Sequence, residues 1–319
     1  LADGAEEGAA VRFLIARLSS LGDVVCTLPA AVALEKSFPG CEVVWCVGQR
    51  FAGVVELCSA VDRVLAMPKP WPIQKKLLAD VGAFDAAFDL QGLFKSARII
   101  GSCRAGKKLG YHWQRELSWL FSQRVVPDAT SLHVTDQYVD VVRAFGAECD
   151  RAEFGLAADP QDVEAVRAML PVGEFVVCNA GAGWATKRWP APHFAALAEG
   201  LQAMGLRAVF IGAKSDRSVF DEVRAAGATS ALDLVGRTDV RQLVALVSLA
   251  KAHVGGDTGS THIAAALGVP AIGLYSVTRP ERSCPYGQMH NTLYDPRGLS
   301  WIAPEQVLAR LEAALRQNG

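Results

Sequence analysis

Short β-branched runs alternate with helix-patterned stretches along the whole chain, and that alternation leaves little choice of fold. Strand-length apolar runs separated by helices are the mark of βαβ units, whose strands lie parallel under helices on both faces. In the first half the runs fall at Arg12–Arg17, Glu42–Val47, Val64–Met67 and Ala86–Asp89. Helices are expected near Pro29–Phe38, Ile73–Val81 and Phe94–Gly101, and over Thr135–Phe145 with Gly146 as its C-cap. The pattern restarts after the polar, proline-containing stretch Ala157–Asp162. There strands are expected at Phe175–Asn179, Arg207–Ile211, Ala231–Leu234, His253–Gly255 and Ala271–Leu274. Helices lie between them near His193–Met204, Asp216–Ala226, Val240–Leu249 and Thr261–Leu267. A chain of 319 residues has room for two such units. The expected fold is α/β, two doubly wound domains facing each other across a cleft. The first spans 11–157 and the second 158–319, with the last helix packing back on the first domain. Residues 1–10 are acidic and small and lack a Met, so they are set aside as a disordered tail or cloning remnant.

In doubly wound sheets ligands bind outside the C-terminal strand ends, so the loops that follow strands are where chemistry is expected. After the first strand comes Leu18-Ser19-Ser20-Leu21-Gly22-Asp23-Val24-Val25. Glycine permits a sharp turn there, and Asp23 would open the next helix. Aspartate caps helices very often, so a pure capping role stands beside a chemical one. A carboxylate at a helix start stays ionised, and that state suits a general base.

A second loop, Gly255-Gly256-Asp257-Thr258-Gly259-Ser260-Thr261-His262, follows the strand at His253 and leads into a helix. The backbone N–H groups of Thr258, Gly259 and Ser260 can converge on a phosphate, and the helix dipole adds attraction. Gly259 allows close approach, and the Thr258, Ser260 and Thr261 hydroxyls offer further donors. A third segment, Gly181–Pro190, supplies small residues, the Thr186 hydroxyl and the cations Lys187 and Arg188. Lys187 has the reach of a phosphate-binding lysine, although a Lys-Arg pair is by itself an ordinary surface feature.

Lys95–Arg124 carries Lys95, Arg98, Arg104, Lys107, Lys108, Arg115 and Arg124 against one acid, Glu116, with Tyr111, Trp113 and Trp119 among them. The whole chain has a net charge of only −1, so this local excess points to an anionic acceptor or membrane surface, or to a solvated basic face. The same balance gives no argument for nucleic-acid binding. The eight cysteines form no CxxC pair and no zinc spacing, which suits reduced core thiols in a cytoplasmic protein. No stretch reaches the ~18 uninterrupted apolar residues of a membrane span. No DxD motif, GxxxxGK[ST] loop or first-turn GxGxxG is present, so no metal or other cofactor is expected.

Four of these segments, in this order, resemble the heptosyltransferase family of lipopolysaccharide assembly, glycosyltransferase family 9. They are Ser19–Asp23 with Thr27-Leu28-Pro29-Ala30, Phe88–Ser96, Lys187–Pro190, and Gly256–Gly259 with His262, Ala264–Gly268 and Pro270. Gly110-Tyr111-His112-Trp113 with Arg115, Glu116 and His133 is similar to the heptosyltransferase I branch. The resemblance implies a GT-B fold and no cofactor. It implies ADP-L-glycero-β-D-manno-heptose as donor and Kdo of the inner core as acceptor. A cytoplasmic location at the cytoplasmic face of the inner membrane is expected, with the basic stretch Lys95–Arg124 pointing to peripheral contact with that membrane. The resemblance makes Asp23 the catalytic base and assigns the donor to Lys187, Asp257, Thr258, Gly259 and His262; Thr186, Asp216 and Ser260 are expected to join them. The acceptor is expected near Ser19, Ser20, Lys95, Arg98, Lys107, His112 and Arg115. One departure stands out: Ser276-Val277-Thr278-Arg279-Pro280-Glu281-Arg282 replaces the Gly-Pro-Thr-x-Pro-Glu-Arg common among relatives, in a loop expected near the donor. Rival readings are heptosyltransferase II, a same-family enzyme with another nucleotide sugar, a non-catalytic sugar-nucleotide binder, and a dinucleotide-dependent oxidoreductase.

Overall fold

The computed structural model describes residues 10–170, 172–181 and 183–317. Of the expected tail 1–10, all but Ala10 lies outside the described residues. By internal contacts the chain divides into two units. The first holds the residues up to Ser19, Thr27–Ser131 and Thr135–Gly155; the second holds Ser20–Cys26, Leu132–Val134 and Leu156–Gly319. Among the described residues no helix is long and apolar enough to cross a membrane.

The strands run β1 Arg12–Ala16, β2 Glu42–Gly48, β3 Arg63–Met67, β4 Ala83–Asp89, β5 Arg104–Gly110, β6 Gln123–Arg124, β7 Phe175–Asn179, β8 Arg207–Ile211, β9 Leu232–Asp233, β10 Ala252–Gly256, β11 Ala271–Tyr275 and β12 Thr292–Tyr294. The helices are α1 Leu21–Ser37, α2 Ala52–Glu56, α3 Trp71–Ala79, α4 Phe94–Ser102, α5 Val134–Arg143, α6 Pro160–Arg167, α7 Ala191–Ala203, α8 Arg217–Ala225, α9 Val240–Ser248, α10 Gly259–Ala266, α11 Pro280–Ser283 and α12 Pro304–Gln317.

Among the described residues each unit has one six-stranded sheet, in the orders β3-β2-β1-β4-β5-β6 and β12-β11-β10-β7-β8-β9. Every pairing is parallel. Counted from its own first strand, each sheet has the same order, 3-2-1-4-5-6. The α/β fold of two doubly wound, Rossmann-like units is therefore as the alternation implied. The architecture repeats where the sequence does not.

Both faces of the first sheet are covered, which is why its central strands read as unbroken apolar runs. On one face Phe13 and Phe88 pack with Phe38 and Phe145 at centroid separations of 5.2 to 6.1 Å. On the other, Leu14, Ala16, Val44, Cys46, Ile99 and Ile100 form a second cluster. In the second unit, Val176, Cys178, Phe210, Val254 and Ile272 pack with Phe194, Phe220 and the Val307, Leu311 and Ala314 stripe of α12. The cysteines stay unpaired, and Cys46 and Cys178 are fully buried in these cores.

Several elements depart from the expected ones, among them β4, which starts at Ala83 and not Ala86, and α5, which ends at Arg143 and not Phe145; two others show why. Helix α1 begins at Leu21 and carries Pro29 in its interior. The proline marked an apparent start, yet its cost of one backbone hydrogen bond is overcome by burial of Val24, Val25, Leu28 and Ala31. Strand β5, Arg-Ala-Gly-Lys-Lys-Leu-Gly, has no β-branched residue, and only its last two positions are buried. It forms because β4 offers a ladder from Ala83 to Asp89.

In this topology the strand order reverses at β1/β4 and at β7/β10, and ligands bind at the C-terminal ends of such pairs. At the first reversal Gln91 ties the two loops together. It accepts from Leu18 N at 2.9 Å and donates to Ser19 Oγ at 3.2 Å. Gly92 then turns the chain with φ +70°, and a Cβ there would lie 2.6 Å from the Trp113 carbonyl oxygen. Gly92→Ala combines left-handed strain with overlap against backbone that cannot move aside. We expect it to cost at least ~2 kcal/mol, lowering the melting midpoint by roughly 4–8 °C. A thermal melt with an unchanged midpoint would show that this turn relaxes freely.

Candidate functional site

At the second reversal, β7 ends in Asn179 and β10 in Gly255-Gly256, and the loop leading into α10 sits on both. Asn179 Nδ2 donates to Ser260 Oγ at 2.9 Å and to Thr258 Oγ1 at 3.3 Å, while its Oδ1 accepts from Gly181 N at 3.0 Å. His253 Nε2 meets Ser260 Oγ at 2.9 Å, and Thr261 Oγ1 donates to Gly256 O at 2.6 Å. The Ser260 and Thr261 hydroxyls, expected as ligand donors, are thus buried and engaged in shaping the loop. A helix provides no carbonyl for the amides of Gly259 and Ser260 at its start, whereas Thr261 N already meets Thr258 O at 3.2 Å. Gly256 lets the next segment come close: a Cβ there would lie 3.3 Å from the Lys187 carbonyl oxygen.

Lys187 Nζ lies 2.8 Å from Asp257 Oδ2, and His262 Nε2 lies 3.4 Å from Asp257 Oδ1. On the far side of the ring, His262 Nδ1 is 3.4 Å from Cys26 Sγ. Burial works against both charges. It pushes the Asp257 carboxyl up, but the His262 hydrogen bond and charge, followed by those of Lys187, hold it well below the usual carboxylate range. Burial likewise disfavours the His262 cation, and Cys26 and Asp257 together still raise it well above 6.5. Lys187 and His262 thus flank the Asp257 carboxylate at the start of α10. An anion placed there would meet Lys187 and the positive end of the helix dipole together.

Ser20–Cys26 belongs to the same unit. A Cβ on Gly22 would lie 2.7 Å from His262 Cδ2, and one on Gly259 would lie 2.6 Å from Leu21 Cγ. The two glycines let the first turn of α1 approach the first turn of α10. Asp23 sits in that turn of α1, not ahead of it, and its Oδ2 accepts from Ser20 N at 3.1 Å and Ser20 Oγ at 2.7 Å. The capping role is real, and it holds the carboxylate in one place. Asp216 accepts from Ala213 N at 2.8 Å and lies against Gly181, where a Cβ would be 2.6 Å from its Cγ. Thr186 is exposed in the short turn that carries Lys187.

The other expected residues fall in the first unit, apart from Ser20. Lys95 Nζ donates to Ser19 Oγ at 2.6 Å, which brings those two together at the β1/β4 reversal. Arg98 lies one turn further along α4 with its guanidinium 4.3 Å from the Trp71 ring centre. Arg115 N donates to Gly92 O at 2.8 Å, so its loop is fastened to the same turn, and His112 packs on Tyr111. Lys107 stands apart. It lies within β5, not at its end, with Nζ 5.4 Å from the Phe145 ring centre.

Sequence reasoning missed Asn179, His253, Cys26 and Gln91. Asn179 had a signal, a polar residue closing a buried strand before a glycine-rich loop; the others are recognisable only through their tertiary partners. His253 is fully buried, and burial, with the His262 charge acting the same way, holds it down to about 3. The unfolded chain binds that proton from pH 6.5 downward while the folded one does not. Stability should therefore fall as the pH drops below about 6.5 and continue falling toward 3. His253→Asn should flatten this limb by a few kcal/mol, at ~1.4 kcal/mol per pKa unit. Urea melts at pH 6.5 and 4.5 with equal losses for both proteins would contradict it. Among the described residues no group of three or more His, Cys, Asp and Glu is placed to hold a metal ion.

The sequence pattern of Glycosyltransferase family 9 (heptosyltransferase) matches residues 73–299. Lipopolysaccharide heptosyltransferase 1 of Salmonella typhimurium is 29% identical over 95% of this chain and 98% of its own length. Among solved structures, the E. coli heptosyltransferase WaaC with ADP superposes with a TM-score of 0.79 at 26% identity, covering 95% of this chain and all of that one. The E. coli ADP-heptose lps heptosyltransferase II gives 0.83 at 21% identity, over 97% and 99% of the two chains.

Proposed function

The chain belongs to glycosyltransferase family 9, the heptosyltransferases, and from that premise we propose that it moves heptose from ADP-L-glycero-β-D-manno-heptose to a Kdo hydroxyl of the lipopolysaccharide inner core. The reaction is an inverting displacement. The acceptor oxygen attacks the anomeric carbon, its proton passes to Asp23, and the bond to the diphosphate breaks with ADP taking the electron pair. The observation that carries this reading is the close approach of two helix starts. One bears the Asp23 carboxylate, held by Ser20, and the other bears Asp257 paired with Lys187 and His262. The first supplies a base, and the second stabilises charge developing on the leaving diphosphate. No cofactor takes part. Asp257, already bridged by two cations, serves the sugar hydroxyls or holds the loop and does not face the phosphates. Acceptor contacts come from Ser19, Ser20, Lys95, Arg98, His112 and Arg115, with Lys107 the least suited by its place within the strand. The reaction belongs at the cytoplasmic face of the inner membrane.

A second reading keeps the transferase and changes the donor sugar or its nucleotide. It is favoured by one observation: Ser276, Val277 and Thr278 line the same small concavity as Lys187 and Asp257. The departure from the usual Gly-Pro therefore sits beside the donor charges. A thermal-shift screen separates the two. We expect ADP-heptose to raise the melting midpoint more than UDP-, GDP- or ADP-hexoses at equal concentration, in the manner of any ligand bound by the folded state. A larger shift from another nucleotide sugar would move the assignment to the second reading.

A further inference from the structure

The loop that leaves β5 has a feature that transfer chemistry does not use. Glu116 and Leu117 both adopt left-handed backbone, at φ 52° and 62°, which non-glycine residues rarely do twice in succession. The turn is fastened from below: Ser118 Oγ donates to Gly92 O at 3.0 Å, and Glu116 accepts from Phe94 N at 3.1 Å. What it raises into solvent is apolar. Leu117 is 54% exposed, Trp119 52% and Leu120 68%, and Trp113 and Phe94 beside them are each 47% exposed. Strain that holds three large hydrophobic side chains in water needs a compensating partner.

The surrounding charge identifies that partner. Lys95, Arg115 and Arg124 are exposed in the same stretch, and its single acid, Glu116, is held on the start of α4. Next to Trp119 lies a cavity of about 310 Å³ lined by Gln114, Ser122, Gln123 and Arg124, large enough for a phosphate-bearing headgroup. Tryptophan with aliphatic side chains suits the boundary between lipid headgroups and acyl chains, and arginine suits anionic lipid. A second copy of the chain would instead bring like charges together.

We propose that Trp113–Arg124 docks the protein on an anionic bilayer, with Leu117, Trp119 and Leu120 in the interfacial layer and Arg124 holding a lipid phosphate at the cavity beside Trp119. This surface is fastened to the Gly92 turn, next to Ser19 and Lys95, so docking would bring a lipid-borne acceptor to that loop; that last step alone rests on the transferase reading.

The test reads vesicle binding and needs no turnover. The full chain should float with phosphatidylglycerol/phosphatidylethanolamine vesicles and bind phosphatidylcholine vesicles at least about tenfold more weakly. Trp119→Ser with Leu120→Ser should weaken binding to the anionic vesicles by about tenfold or more while leaving the melting midpoint in place, since both side chains are exposed. Arg124→Glu should do so mainly at low salt. Absence of flotation, equal binding to both lipids, or unchanged binding by the double variant would each overturn the proposal. So would concentration-dependent dimerisation that the double variant abolishes without vesicle binding in either protein.

Discussion

Asp23→Asn is expected to keep the donor bound and lose turnover by ~10²–10⁴-fold, the range that a positioned general base contributes. The substitution isolates the charge. An asparagine oxygen can accept from Ser20 N and Oγ as the carboxylate does now, so the bonds back to the residue before the helix survive. What is lost is the favourable meeting of a negative charge with the helix dipole, so stability should stay within about 1 kcal/mol of the wild type. Donor affinity should also hold, because the proposed phosphate contacts are Lys187 and the start of α10, not Asp23. The kinetic signature is a fall in kcat with little change in KM for the donor. Near-normal turnover in the Asn variant would reduce Asp23 to a helix cap. Asp23→Ala is the weaker experiment, since it removes cap and base together.

Lys187→Ala should be nearly as damaging, at ~10²–10³-fold in kcat/KM, through loss of an electrostatic contact to the leaving diphosphate. The structure offers a different account of the same loss. Lys187 Nζ is 2.8 Å from Asp257 Oδ2, so removing it also exposes a carboxylate that would repel the donor. A double variant, Lys187→Ala with Asp257→Asn, separates the two. If Lys187 only neutralises Asp257, the second change restores activity. Direct contact with the diphosphate predicts that the double variant stays as low as Lys187→Ala, which is the result we expect. Such pairs share a partner, and their effects are not additive, so the cycle and not either single variant decides.

Both predictions concern groups that could be named from the sequence, and it is instructive which details could not. Strands β7 and β8 were legible to the residue, and β1, β2 and β11 nearly so, because burial on both faces leaves apolar runs; β10, Ala-His-Val-Gly-Gly, was placed within one residue at each end beside the glycine-rich loop that follows it. β5 was not, because two lysines and two glycines carry no strand signal and only the edge offered by β4 fixes them. Asp23, Lys187, Asp257 and His262 stood out as charged residues after strands, where this topology binds ligands. Their pairing was hidden. Nothing local says that Lys187 reaches Asp257 seventy residues on, or that His262 sits between a carboxylate and a thiol. The Ser260 and Thr261 hydroxyls looked like ligand donors for the same reason. Their true partners are Asn179 at the end of β7 and, on β10, His253 and the Gly256 carbonyl.

Membership of the heptosyltransferases is compatible with more than one acceptor and donor, so the decisive measurement is the transfer itself. Purified protein is mixed with ADP-L-glycero-β-D-manno-heptose and a Kdo-bearing acceptor, and both ADP release and acceptor mass are followed. The account predicts ADP release that depends on the acceptor, with a gain of one α-linked heptosyl residue from the β-configured donor. An acceptor left unmodified while the donor is bound, or a product that retains the donor's anomeric configuration, would contradict it.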